Sequence, residues 1–311
     1  MGEYTNPNGV ANTLEDISVN LTTILDEVFA QSTKTAMWAP NPALVQGFKN
    51  GKTGRIPTIS VSGLGDYSPT QGYRQGSASV TFQPYELQYD RGISYLLDEV
   101  DVMKDGGVAT ATSVLSEFSR SNLVPEVDAV RIAKVATKAL ATTDHFKSGY
   151  TPAKSTMFSE ILKGLQTIED DSGYDAGVNI LVNTKYADML KNSTEFNKTK
   201  DIESNASVLN NKINAINDCP VTYVPSSRMY SAVDLATGES AYGYTKGTTA
   251  VDVVAVLTAP DTAQGIVAHQ ITNIVPPAIN QTADGTRINF RCYHDCIIPV
   301  NKAKGIYAIT C

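Results

Sequence analysis

Cys292, His294 and Cys296 are the most suggestive chemical grouping in this sequence: three zinc-ligand side chains on alternate positions, with Asp295 between the last two. On a strand all three share one face. Same-face neighbours there are nearly 7 Å apart, so the two thiols stand roughly 13 Å from each other, too far for one tetrahedral ion. On a helix the cysteines approach while His294 turns to the other side. The spacing therefore predicts buried or half-buried sheet positions and no metal.

Catalytic pairings fare no better. His145, His269 and His294 are the only histidines, and no nucleophile-elbow signature accompanies them, so no Ser-His-Asp or Cys-His arrangement is encoded. Walker and dinucleotide glycine patterns are absent, and no cofactor is expected. Asp98, Glu99, Asp101 and Asp105 resemble a paired-carboxylate or metal site, yet their position after a strand is that of a solvated acidic loop. A soluble enzyme using this cluster is the weakest of the functional readings.

The elements around these residues belong to an ordinary globular chain. With 311 residues, 42% hydrophobic and 18% charged, it can bury a large core as one or two domains and is too apolar for disorder. No apolar run is long enough to span a membrane, and MGEYTNPNGV has no signal-peptide character. Four cysteines without framework spacing point to reduced thiols in a cytoplasm. A net charge of −7 argues against tight nucleic-acid binding, which relies on cations that displace counterions from phosphates.

Leu14, Ile17, Leu21, Ile24, Leu25 and Val28 recur at helical spacing behind Thr13 as cap, predicting an amphipathic helix that packs on its own domain or on a neighbouring subunit. Six glycines between 51 and 76 lie within a twisted hairpin of strands Arg55–Ser62 and Ala78–Leu87. Two strands alone are marginal in water, so something else must hold them.

Val108, Ala111, Leu115 and Phe118 predict a short helix after Asp105-Gly106-Gly107. Pro125 is expected to push Val124 out of helical geometry and open a second helix to about Thr142, roughly 27 Å long. On it Ile132, Val135, Ala136 and Ala139 form a narrow apolar face. Arg131, Lys134 and Lys138 form a row read as a solvated face, with an acidic neighbour or phosphate as the alternative.

Further on, a helix at Thr156–Asp170, a strand at Val178–Val182, a helix at Thr184–Lys191 and strands at Val221–Val224 and Val251–Leu257 alternate around a buried sheet. The remainder is β-rich, with a turn at Asp284-Gly285 between Ile271–Val275 and Arg287–Tyr293.

The run DRGISYLLDEVDVMKD followed by EFSRSNLVPEVDAVRIAK resembles the major capsid protein of tailed bacteriophages. So do, in order, GKTGRIPTIS, GLGDYSPTQGYRQG, ILVNTKYADMLKNSTEF, DCPVTYVPSSRMY, VVAVLTAPDTAQGIVAHQITNIVPP and KAKGIYAI, which together cover nearly the whole chain. The resemblance implies an α+β capsid fold. Residues 1–45 would be an N-arm, 46–92 the E-loop and its base, and 93–168 a P-domain with its spine helix at 125–142. Residues 169–266 would form the A-domain, 267–295 further P-domain strands and 296–311 the A-domain return.

It implies a structural protein that is not an enzyme, forming hexamers and pentamers of an icosahedral head around double-stranded DNA, without sequence-specific binding and without a membrane. The place is the virion, with assembly in the host cytoplasm. A separate scaffolding protein, a portal and decoration proteins are the further partners; the start at Met1-Gly2-Glu3 leaves no room for a scaffolding segment of its own unless the chain is trimmed. An encapsulin-like nanocompartment shares the fold and is the alternative. The hairpin, unstable alone, would lie across an adjacent subunit, with Lys49, Lys52, Arg55 and Arg74 meeting Asp98, Glu99, Asp101 and Asp105 of the neighbour. Lys–Asn cross-links between subunits occur in some members, and Lys49 or Lys52 with Asn273 or Asn280 are the nominal counterparts.

Overall fold

The computed structural model describes residues 28–29, 32–42, 52–70, 72–98, 111–173, 177–193, 213–238, 241–281 and 283–311. Its strands in chain order are β1 (Thr53–Val61), β2 (Ala78–Glu86), β3 (Tyr89–Asp98), β4 (Phe146–Lys147), β5 (Asn179–Asn183), β6 (Ala215–Ile216) and β7 (Cys219–Val224). They continue with β8 (Val233–Leu235), β9 (Tyr244–Lys246), β10 (Val253–Thr258), β11 (Gln264–Val275), β12 (Gly285–Ile297) and β13 (Ile306–Thr310). The α-helices are α1 (Ala111–Phe118), α2 (Val124–Leu140), α3 (Met157–Ser172) and α4 (Ala187–Lys191).

The apolar run VVAVLT forms β10, buried at every position because both faces of its sheet are covered. That sheet has six strands in the order β4-β13-β10-β5-β7-β6. On one face Met157, Ile161, Leu165 and Ile168 of α3 pack against Ile180, Val182, Leu257 and Ile309. On the other, Ile132, Val135, Ala136 and Ala139 of α2 meet Leu181, Val256, Ile306 and Ala308. Each fully buried branched side chain contributes about 1.5–3 kcal/mol, so these two clusters are the main reservoir of stability.

A second sheet, β11-β12-β3, is antiparallel throughout and covers the opposite side of α2. Ile288, Phe290 and Cys292 of β12 pack there against Leu115, Leu123 and Val127, joined by Ile93 and Tyr95 of β3. Helix α2 is therefore buried almost all round, and the sequence-derived picture of a narrow apolar face needs correction. So does the solvated basic row: Arg131 is 4% exposed and lies within the protein. Two sheets, one on each side, leave the helix little solvent to face.

Two local expectations also change. Val124 stays helical, at φ −61° and ψ −47°, and helices α1 and α2 are not separated by an extended residue. Ser119–Leu123 form a π turn in which the Val124 N–H donates to the Ser119 carbonyl. The wider turn makes room for the Pro125 ring, which cannot donate to the carbonyl four residues back and would crowd it. Likewise no two-residue turn forms at Asp284-Gly285. Pro276 and Pro277 follow the end of β11 at Val275, β12 begins only at Gly285, and the Asn280 side-chain amide donates to the Gly285 carbonyl.

The expected amphipathic helix at 14–28 lies outside the described residues except for Val28, as do Lys49 and the Asp105-Gly106-Gly107 cap.

Candidate assembly interface

The hairpin fulfils its sequence expectation, with β1 and β2 in unbroken register from Thr53–Glu86 to Val61–Ala78. Strand alternation divides it into two faces. One carries Ile56, Thr58 and Ser60 opposite Gln83, Thr81 and Ser79. At its base, Ile56 and Leu87 are buried with Ile266 of β11 and Ile297 of β12. This is the face that joins the arm to the body.

The opposite face carries Arg55, Pro57, Ile59 and Val61 opposite Pro84, Phe82, Val80 and Ala78. It points away from the attached side. Ile59 is 67% exposed, Val61 70%, Val80 57% and Phe82 59%, a continuous apolar stripe rather than scattered residues. Beyond it, Leu64 and Tyr73 at the tip are also exposed, the Tyr73 ring lying 5.1 Å from that of Tyr67. Each strand holds one proline, Pro57 or Pro84.

The body beneath the arm is locked by polar groups on α2. Asp128, fully buried, accepts hydrogen bonds from the Thr33 hydroxyl (2.6 Å), the Lys34 backbone N–H (2.9 Å), the Thr35 hydroxyl (2.7 Å) and Arg228 Nη1 (2.8 Å). Arg131 donates to the Thr35 hydroxyl and the Gly265 carbonyl. Trp38 then inserts into the core, its indole N–H donating to Thr258 Oγ1 at 2.9 Å. Residues 33–38 are thereby fastened to both the helix and the six-stranded sheet.

Glu126 accepts two hydrogen bonds from Arg91, whose remaining N–H groups reach the carbonyls of Ala236 and Gly243. Burial alone would raise the Glu126 carboxyl, but the nearby His294 ring and the Arg91 guanidinium outweigh it and hold the group below the usual carboxylate range. Lys134 pairs with buried Asp295 at 2.5 Å, and Asp295 also accepts from the Gln88 backbone N–H between β2 and β3. Cys292, His294 and Cys296 are all buried on the helix-facing side of β12, as the spacing predicts. Burial pushes both thiols up to about 12. Among the described residues no group of three metal-ligating side chains converges.

No protein-family model matches this sequence, and no curated protein does. Solved structures do. One from Mycobacterium phage Che8 superposes with a TM-score of 0.61 at 14% identity, over 90% of this chain and 91% of that one. The asymmetric unit of the bacteriophage PhiM1 mature capsid gives 0.56 at 15% identity, over 84% and 82%. This chain has the phage capsid fold. A virus-like particle from Pyrococcus furiosus is also similar, with a TM-score of 0.50 at 10% identity over 94% and 99%.

Within this capsid fold, four of the charged residues singled out in the sequence, Lys52, Arg55, Arg74 and Asp98, are among the described residues. Arg55 is exposed on the apolar side of the arm, while Arg74 runs along Gly65 near the tip. Lys52 pairs with Glu86 of its own arm at 3.0 Å. Asp98 ends β3, opposite Gly285. Glu99, Asp101 and Asp105 lie outside the described residues. Sequence reasoning overlooked the stripe Ile59, Val61, Val80 and Phe82, although its period of two was readable. The anchoring roles of Glu126 and Asp128 were likewise not readable, because their partners are 35 or more positions away.

Proposed function

We propose that this chain is the major shell subunit of a bacteriophage head, assembling into hexamers and pentamers of an icosahedral shell around double-stranded DNA. The observation that carries this reading is the apolar stripe on the outward face of the arm. A projecting hairpin attached by its other face leaves that stripe to be covered by another copy. Likeness of fold to a mature phage capsid supports the setting.

In this reading residues 1–45 form the N-arm, 46–92 the E-loop and its base, 93–168 and 267–295 the P-domain, and 169–266 with 296–311 the A-domain. Helix α2 is the spine. Arg55 and Arg74, with Lys49 and Lys52, meet Asp98, Glu99, Asp101 and Asp105 of the adjacent copy; individual contacts of this kind are weak, but repetition over a shell sets register. Charge reversal at Arg55 and Arg74 then changes assembly and its salt dependence. The acidic balance suits a container that releases its DNA. A scaffolding protein, a portal and decoration proteins complete the set of partners.

The similarity to a virus-like particle gives a second reading, a shell enclosing protein cargo. Electron microscopy and sedimentation of the purified recombinant chain test both. Closed shells, rings of five or six, or tubes are expected, and co-purifying DNA or protein separates the two contents. A monodisperse monomer or dimer that persists under crowding and with a scaffolding partner would overturn the shell reading.

A further inference from the structure

His294 has no role in holding a shell together that the contacts above supply, yet it sits where the arm joins the body. It is fully buried, stacked on Tyr89 with ring centroids 5.5 Å apart. Among the described residues, neither ring nitrogen has a hydrogen-bond partner, and Glu126 Oε1 lies 3.6 Å from Nε2. That distance is longer than a hydrogen bond. The same oxygen accepts from Arg91 Nε at 2.7 Å.

The ionisable groups around the ring are Tyr89 and Arg91 from β3, Glu126 and Lys134 from α2, and Cys292, Asp295 and Cys296 from β12 itself. Strand β11 places Val267 opposite His294 in the ladder. Tyr89 also lies under the Lys134 ammonium, 4.9 Å from its ring centroid, and follows directly on Gln88, whose N–H binds Asp295. His294 is thus in contact, through Tyr89, with the point where β2 passes into β3.

We propose that His294 is a proton-responsive catch beneath the hairpin arm. A neutral imidazole has one donor and no charge. Uptake of a proton from solvent makes both nitrogens donors and puts a positive charge beside the Glu126 carboxylate in a site with little water to screen it. Glu126 is then shared between Arg91 and His294, and β12 and β3 are drawn against α2. The arm is held more firmly at mildly acidic pH and more loosely at alkaline pH.

Hydrogen exchange of the purified, unassembled subunit tests this without requiring a shell, so it stands or falls separately from the shell reading. After correction for intrinsic rates, amides of residues 85–93 should exchange about tenfold more slowly at about pH 5.5 than at about pH 8, the effect of one charge-assisted contact. His294→Gln and Glu126→Gln should each abolish the difference. His145→Gln, at a ring bonded to Asp171 and the Ile306 carbonyl instead, should leave it intact. Equal protection of the wild-type chain at the two pH values would overturn the proposal even if a variant fails to fold. So would an unchanged difference in His294→Gln.

Discussion

Gly265 and Arg131 occupy one space: a Cβ on Gly265 would stand 2.5 Å from the Arg131 Nε and 2.6 Å from Cζ. The guanidinium packs against Gly265 of β11 and donates to its carbonyl. Gly265→Ala should therefore force Arg131 off its partners and destabilise the subunit by about 1–3 kcal/mol, the usual cost of overpacking. Urea denaturation of the unassembled chain measures this, and an unchanged midpoint would mean that the helix can shift to accommodate the methyl group.

Asp128 ties residues 33–35 to α2 and to Arg228. Replacing it by Asn removes one member of a buried ion pair and should cost about 3–5 kcal/mol. Trp38, the single tryptophan, reports the loss directly. Its emission should shift to the red in Asp128→Asn under conditions where far-ultraviolet circular dichroism is unchanged, as residues 33–38 come away from the core.

Lys246 and Lys185 hold the Asp252 carboxyl below its ordinary value of 3.8. The unfolded chain is thus protonated first, and the stabilisation is complete above pH 3.8 and lost as the pH falls through the lower folded value. Glu126 behaves in the same way from its higher ordinary value of 4.5. Stability should decline on acidification below about pH 4.5. The difference between wild type and Asp252→Asn should shrink towards the acid end, a comparison made by denaturation midpoints across pH.

The stripe on the arm separates folding from association. Ile59→Ser, Val80→Ser and Phe82→Ser together should leave the thermal midpoint of the isolated subunit within a few degrees, because these side chains are already in water. Self-association should fall by orders of magnitude, since each buried apolar side chain is worth about 1.5–3 kcal/mol. Analytical ultracentrifugation distinguishes this from a general loss of structure.

Much of the fold was legible because its signals are local. The alternation of β1 and β2, the uninterrupted apolar run of β10 and the 3.6-residue period of α3 each report burial from neighbouring residues. Helix α2 was legible in place but not in surroundings. A narrow stripe could not reveal that a second sheet covers its other side, so Arg131 read as solvated when its partners, Thr35 and Gly265, are 96 and 134 positions away. The π turn was hidden for a different reason. Proline is a local signal for a helix boundary, and only packing of Leu115, Leu123 and Val127 on one sheet favours carrying the helix through it. For the interface, exposed charges drew attention, whereas the observation that matters is which face of the hairpin the base uses.

Pro57 and Pro84 bear on how an apolar arm of this kind avoids misassembly. A two-stranded ribbon has two free edges, and a run of unpaired amides along either would recruit further strands from any nearby copy into open-ended fibres. Each proline deletes one donor within its strand, and the ladder tolerates it only where the missing N–H faces outward. The arm is thereby receptive broadside and resistant edgewise. A crowded pool of newly made subunits can bury the stripe against a shaped surface, a contact that ends once it is filled, while polymerisation from strand edge to strand edge is denied its template.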